Sequence, residues 1–112
     1  MAESVAHPSL AAGRWQTMTL MEQLGNIGSE VGRAIKAKAQ GNQTRLTASL
    51  ERALELFDLT ITDERRRHRL KEILRAREVV CDFLVGDNTY RSTGEALDKY
   101  FMAFALAARR ST

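Results

Sequence analysis

Apolar residues recur at alternating spacings of three and four along most of this chain, and no other feature constrains the fold as strongly. Residues three and four apart lie on the same face of an α-helix, so each such stripe predicts an amphipathic helix. One proline and seven glycines are too few for the frequent turns of a β-rich fold. The sequence therefore predicts an all-α protein.

Helix-start and helix-stop signals divide the stripes into four helices. Thr19 and Glu22 form a capping box before the first helix, which ends at Gly41 and Asn42. The second ends near residues 60 to 62, either Thr62 or Asp63 caps the third, and Gly86 follows the third. Ser92 and Glu95 form another capping box before the fourth. The inward-facing residues predicted for the four helices are Leu20, Leu24, Ile27, Val31 and Ala34; Leu46, Leu50, Ala53 or Leu54, Phe57 and Ile61; Leu70, Ile73 or Leu74, Arg77, Val80 or Cys81 and Leu84; and Leu97, Phe101, Phe104 and Ala108.

The short connections between these helices favour antiparallel neighbours. We therefore expect an antiparallel up-down-up-down four-helix bundle over residues 18–112. Residues 1–17 show no period and contain Pro8 and Gly13. They predict a loose N-terminal arm.

The composition excludes several classes of protein. A single cysteine, Cys81, excludes an internal disulfide and a thiolate metal site. No apolar run approaches the ~20 residues of a membrane span, and the N-terminus does not resemble a secretory signal. The expected location is the cytoplasm, without membrane contact.

Three glycines within the first helix, Gly25, Gly28 and Gly32, share one face beside the main apolar stripe. Each costs about 0.5–1 kcal/mol relative to alanine, so the smooth face indicates close approach of another backbone. That backbone belongs either to a neighbouring helix of the bundle or to a second copy of the chain. The same residues are thus candidate interface residues.

Side chains that could carry catalysis are sparse. Arg77 interrupts the third stripe and requires a carboxylate, for which Glu30 and Asp58 are the candidates; the pair would form either a structural charge network or a binding site. A magnesium site would use carboxylates of the second and third helices, and the candidates there are Glu51, Glu55, Asp58, Glu78 and Asp82. Such a site would need a pair of carboxylates three residues apart on each helix. Only Glu55 and Asp58 have that spacing. His68 and Cys81 lie about 20 Å apart on one helix, too far for a dyad. We expect no enzyme activity, no metal and no cofactor.

Residues 63–77 contain seven Lys and Arg against three acids, although the whole chain carries only +3. In an up-down-up-down bundle, the start of the third helix and the end of the fourth meet at one pole. We call this predicted cluster the basic pole, and it comprises Arg65, Arg66, Arg67, Arg69, Arg109 and Arg110, with Arg14 as a further candidate. Such a surface would suit RNA or DNA phosphates, and no aromatic residue is interleaved for base stacking.

From Trp15 to Arg109, through "RWQTMTLMEQLGNIGSEVGRAIKAK" and "RLKEILRAREVVCDFLVGDNTY", the chain resembles a group of short, uncharacterised bacterial helical-bundle proteins. In size, charge and helix count it is also similar to the small basic four-helix bundles that accompany reverse transcriptases in diversity-generating retroelements. Those bundles assemble into rings, so this second resemblance implies an accessory protein that forms an oligomer.

The resulting expectation is a non-enzymatic bundle that self-associates and contacts nucleic acid or a nucleoprotein partner through the basic pole. A protein–protein adaptor without nucleic-acid binding is the alternative. An enzyme with a magnesium–carboxylate site is the least favoured interpretation.

Overall fold

The computed structural model describes residues 13–110, and in that range every regular element is helical. The four α-helices are α1 (Leu20–Ala39), α2 (Gln43–Ile61), α3 (Leu70–Leu84) and α4 (Gly94–Arg110). Two 3-10 segments, Arg14–Thr17 and Glu64–Arg69, precede α1 and α3. The predicted all-α class with four packed helices is confirmed.

The predicted arm requires a correction at its C-terminal end. Residues Arg14–Thr17 form a 3-10 helix, and Trp15 within it is completely buried. An indole buries a large apolar surface, which ties this segment to the bundle. The remainder of the predicted arm, residues 1–12, lies outside the described residues.

The helix ends follow the sequence signals with two differences. At α1, Thr19 Oγ1 accepts the Glu22 N–H at 3.1 Å and Glu22 Oε1 accepts the Thr19 N–H at 2.8 Å, which confirms the capping box. At α4, however, Thr93 rather than Ser92 is the cap, because its hydroxyl accepts the Ala96 N–H. The third helix also begins differently, since the residues after Asp63 form the 3-10 segment before α3 starts at Leu70.

Helix α1 lies at the centre, packed along α2 and α4 and, over a shorter length, against α3. All five of its predicted inward-facing residues are buried. Where the sequence left two choices, the structure buries Ala53, Ile73 and Val80. Of the rejected alternatives, Leu74 is exposed.

The glycine face of α1 receives α4 of the same chain. A Cβ at Gly28 would overlap the Phe101 side chain, and a Cβ at Gly25 would lie 3.2 Å from the Ala105 Cα. The assignment of Gly25, Gly28 and Gly32 to an interface between copies therefore gives way to a packing role inside one chain. These residues let two backbones approach where larger side chains would hold the helices apart.

The same contacts set the direction of α4. Gly25 faces Ala105 while Gly32 faces Asp98, so residue numbers rise along α1 as they fall along α4. These two helices run in opposite directions. The C-terminal end of α4 consequently lies beside the N-terminal end of α1.

Helices α3 and α4 are separated by an apolar groove of about 300 Å³. Its walls are formed mainly by Ala76, Val79, Leu97, Tyr100 and Phe101. Among residues 13–110, no helix is both long enough and apolar enough to cross a membrane.

Candidate nucleic-acid interface

The arginine-rich segment enters the bundle through Asp63, a buried carboxylate at the start of the second 3-10 segment. A 3-10 helix has three residues per turn, so positions i and i+3 eclipse each other. Asp63 and Arg66 therefore lie on one side, and Arg66 is buried with Asp63. Arg67 and His68 are exposed. The local geometry thus separates consecutive cations into inward-facing and outward-facing groups.

Hydrogen bonds from Arg65 and Gln23 stabilise the ionised form of Asp63. Arg65 Nη2 donates to Oδ2 at 2.7 Å and Arg65 Nε donates to Oδ1 at 3.0 Å. Gln23 Nε2 adds a hydrogen bond at 3.1 Å. The Arg65 hydrogen bonds hold the pKa of Asp63 far below its usual range, more than offsetting the opposing effect of burial. The same bonds raise the pKa of Arg65.

Arg66 is the most deeply buried arginine of the segment. Its Nε donates to Gln23 Oε1 at 2.8 Å, and its Nη2 donates to the Met18 carbonyl oxygen at 3.0 Å. Burial lowers its pKa. Since Arg65 Nη2 also donates to the Met18 carbonyl, at 2.8 Å, both arginines fix the chain just before α1.

The residues around Trp15 complete this polar network. Trp15 Nε1 donates to Thr60 Oγ1 at 2.9 Å, and the Trp15 carbonyl accepts from Gln23 Nε2 at 2.9 Å. Thr60 and Gln23 are fully buried, so these bonds satisfy groups that burial would otherwise penalise. Sequence reasoning missed the network. Its one signal was a polar Gln23 beside the apolar stripe of α1.

Arg69 also has an internal partner. Its Nη2 lies 2.6 Å from Glu72 Oε1, and Glu72 Oε2 accepts the Tyr100 hydroxyl at 3.1 Å. Burial, with the nearby Glu72 carboxylate, raises the pKa of Tyr100 to about 12. Glu72 therefore links Arg69, at the start of α3, to Tyr100 of α4.

Parts of the predicted pole lie towards the N-terminal end of α1. Arg65 and Arg66 reach Met18 before α1, and the end of α4 lies at the same end of α1. The exposed arginines of this end are Arg14, Arg65, Arg67, Arg109 and Arg110. Of the six predicted binding residues, Arg66 is instead buried, and Arg69 is one-third exposed and paired with Glu72.

The question of the partner of Arg77 has a clear answer. Arg77 Nε donates to Asp58 Oδ1 at 3.1 Å, so Asp58 is the partner and Glu30 is not. Glu30 instead contacts Arg52 at 3.1 Å and Arg33 at 3.3 Å. The pair between α2 and α3 is partly exposed.

Two of the carboxylates considered as magnesium ligands, Asp82 and Glu78, bind groups of the α3–α4 loop. Asp82 accepts the Thr89 and Tyr90 N–H groups at 2.8 and 3.0 Å, bonds that lower its pKa, with Tyr90 the largest cause. Glu78 accepts the Tyr90 hydroxyl, and the Arg75 guanidinium lies 4.7 Å from the centre of the Tyr90 ring. Together they fold the α3–α4 loop onto α3. Within residues 13–110, no three His, Cys, Asp or Glu side chains converge as metal ligands.

Cys81 is half-buried against the core, where burial raises the pKa of its thiol. A raised thiol pKa disfavours the nucleophilic thiolate. Its environment is therefore that of a packing residue.

Comparison with known proteins adds no relative: no protein-family model, no curated protein and no solved structure matches this chain.

Proposed function

We propose that this protein is a non-enzymatic helical module that contacts nucleic acid through the exposed arginines of the basic pole. The proposal adopts the up-down-up-down order of the four helices. Its main support is that the C-terminal end of α4 and the arginine-rich segment both lie towards the N-terminal end of α1. Phosphates are recognised by such sequence-independent cation clusters.

The internal network gives this surface a rigid base. Arg65 is fixed by Asp63 while its side chain remains 45% exposed, so a phosphate oxygen can approach a guanidinium that is already oriented. Pre-oriented cations lose less side-chain entropy on binding. Arg67 and Arg110 add further exposed positive charges.

The test measures binding of a fluorescent single-stranded RNA and a duplex DNA across a salt series. Affinity should fall steeply with salt, with a logarithmic slope of about −0.7 per phosphate contact for a single strand. Arg67→Glu and Arg110→Glu, each alone and together, should weaken binding and reduce the slope by about one for each residue. Both residues are exposed, so thermal unfolding should change little.

Lys99→Glu is the matched control, since Lys99 is an exposed cation of α4 about 16 Å along the helix from Arg110. It should leave binding near that of the wild type. Absent binding, or equal losses in all variants, would refute recognition by the basic pole.

Self-association would use a different surface from the glycine face. Met102 and Leu106 lie one turn apart on α4 and are 54% and 42% exposed. In a two-fold dimer, the Met102–Leu106 ridge of each copy would pack against the same ridge of the other, because an isologous interface repeats one patch. The partner that we propose for this ridge is therefore a second copy.

Light scattering at increasing concentration tests this arrangement. Leu106→Gln should return the mass to that of a monomer, while Leu74→Gln, which alters an exposed leucine of α3, should not. A wild-type protein that is monomeric at all concentrations would refute self-association. A monomer that also fails to bind nucleic acid would favour the adaptor function, with the groove available to another protein.

A further inference from the structure

A second cationic surface lies between α1 and α2, away from the arginine-rich segment. There the two helices enclose a cleft of about 370 Å³. We call this feature the α1–α2 cleft, and its lining residues are Arg33, Lys36, Ala37, Gln40, Arg45, Ala48, Ser49 and Arg52. Its cations come from separate parts of the sequence, so they could not be predicted from a run of charged residues.

Glu30 orients the inner pair of cations. Its buried carboxylate lies 3.1 Å from Arg52 Nε and 3.3 Å from Arg33 Nη1. Arg52 Nη2 also donates to Ser49 Oγ at 3.3 Å. A single carboxylate therefore contacts two guanidinium groups, and its one negative charge balances only one of them.

The outer pair of cations, Lys36 and Arg45, is exposed. Neither makes an ion pair with an acidic side chain among residues 13–110. Arg45 lies in the first turn of α2, a turn without an acidic residue, where the helix macrodipole disfavours a cation. A bound anion would remove that unfavourable interaction.

We propose that the α1–α2 cleft binds a compact anion with two linked phosphate groups, such as pyrophosphate or the diphosphate of a nucleotide. Among the described residues, the four cations of the cleft and the Glu30 carboxylate sum to three positive charges. A terminal phosphate carries close to two negative charges at neutral pH, so a diphosphate matches this excess better than a carboxylate does. Arginine forks also suit phosphate oxygens geometrically.

Small residues form part of the cleft wall, which makes room for the ligand between the cations. Ala37 and Ser49 are buried, and neither side chain extends far from its helix. Lys36 follows Arg33 by three residues, or about 4.5 Å of helix rise. Successive cations on α1 can thus contact adjacent phosphate groups.

Isothermal titration at low ionic strength with inorganic pyrophosphate tests the proposal. We expect saturable one-site binding, weakened about tenfold or more in the double variant Lys36→Gln/Arg45→Gln. Both residues are exposed, so the variant should remain folded. Arg67→Gln at the basic pole is the control and should bind pyrophosphate as the wild type does.

Arg52→Gln provides a second route, because it removes a cation from the inner pair; circular dichroism verifies its fold. Absent binding to the wild type, or equal affinity in the double variant, would overturn the proposal. Titration with ADP identifies the source of the diphosphate: affinity equal to that of pyrophosphate means that only the phosphates are recognised, and a higher affinity means that the nucleoside also contributes.

An oligonucleotide arm separates this site from the basic pole. If RNA binding is lost in Arg67→Glu/Arg110→Glu while pyrophosphate binding persists, the two surfaces act independently. If Lys36→Gln/Arg45→Gln weakens RNA binding and pyrophosphate does not bind at all, the cleft contacts a nucleic-acid backbone and the compact-ligand proposal is wrong.

Discussion

The basic pole and the α1–α2 cleft contain comparable numbers of cations, but the fold uses them differently. At the pole the arginines are adjacent in sequence, yet Arg66 is buried and the Arg65 guanidinium donates two hydrogen bonds to the Asp63 carboxylate. In the cleft the cations are dispersed in sequence, and Lys36 and Arg45 remain exposed and without ion pairs among residues 13–110. Charge density along a sequence is therefore a poor measure of charge at a surface.

The difference has a physical origin in what each carboxylate does. Asp63 lies 5% exposed at the junction of three segments, and both its donor Arg65 and its neighbour Arg66 donate to the Met18 carbonyl. The two ion pairs that Glu30 makes with described residues join side chains of α1 and α2, and the Arg33 side chain is 62% exposed. We accordingly expect the pole to dominate stability and the cleft to contribute little to it.

The largest effect should come from removing the carboxylate of the pole. Asp63→Ala leaves buried Arg66 without its nearby charge and removes the fork of Arg65. Loss of one partner of a buried pair costs about 3–5 kcal/mol. Glu30→Ala, the matched change in the cleft, should cost only about 1–3 kcal/mol, because Arg33 and Arg52 can turn to water. Urea unfolding measures the free energy of unfolding of both variants. Equal losses would contradict the expected difference between the pole and the cleft.

The next effect is on the pH dependence of stability. The pKa of Asp63 is lowered in the folded state, so the unfolded state binds its proton first as the pH falls. The stability from this group is complete above pH ~4, the ordinary aspartate pKa, and is lost as the pH falls toward the folded-state value. For each pH unit between the ordinary pKa and the folded-state pKa of Asp63, the free energy of unfolding falls by about 1.4 kcal/mol.

Asp63→Asn should therefore flatten the decline in unfolding free energy below pH 4, measured by urea unfolding at a series of pH values. Glu51→Gln, which removes an exposed carboxylate of α2, is the control and should retain the wild-type slope. An unchanged slope in Asp63→Asn would contradict the role given to the Arg65 fork.

The smallest effect should be that of the outer cations of the cleft. Lys36→Gln and Arg45→Gln should each change stability by no more than about 0.5 kcal/mol, as exposed substitutions usually do. A slight stabilisation by Arg45→Gln would agree with its unfavourable position in the first turn of α2. A loss of several kcal/mol in thermal or urea unfolding would show that these cations are structural.

Much of the fold could be predicted locally. The capping box at Thr19, the stop at Gly41 and the inward faces of all four helices depend on residues within a few positions of one another. The shift of the α4 cap from Ser92 to Thr93 is a boundary error of the kind that frayed helix ends produce. The 3-10 segment was missed because no spacing rule distinguishes it from the first turn of an α-helix.

The candidate site was less predictable, because its members are distant in sequence. Arg66 and Gln23 are 43 residues apart, and Trp15 and Thr60 are 45 apart. The sequence identified Arg77 as a residue that needs a carboxylate, but both Glu30 and Asp58 satisfied the pattern. The relative positions of α1, α2 and α3 determine that Asp58, and not Glu30, is the partner of Arg77.

By itself, the sequence determined that the chain forms four amphipathic helices and which face of each is buried, since helical period and capping act over one or two turns. The tertiary structure decided which arginines remain available, what lies on the glycine face and which acid meets each cation. Those outcomes depend on desolvation and on hydrogen-bond geometry between separate elements, and neither is set until the helices pack.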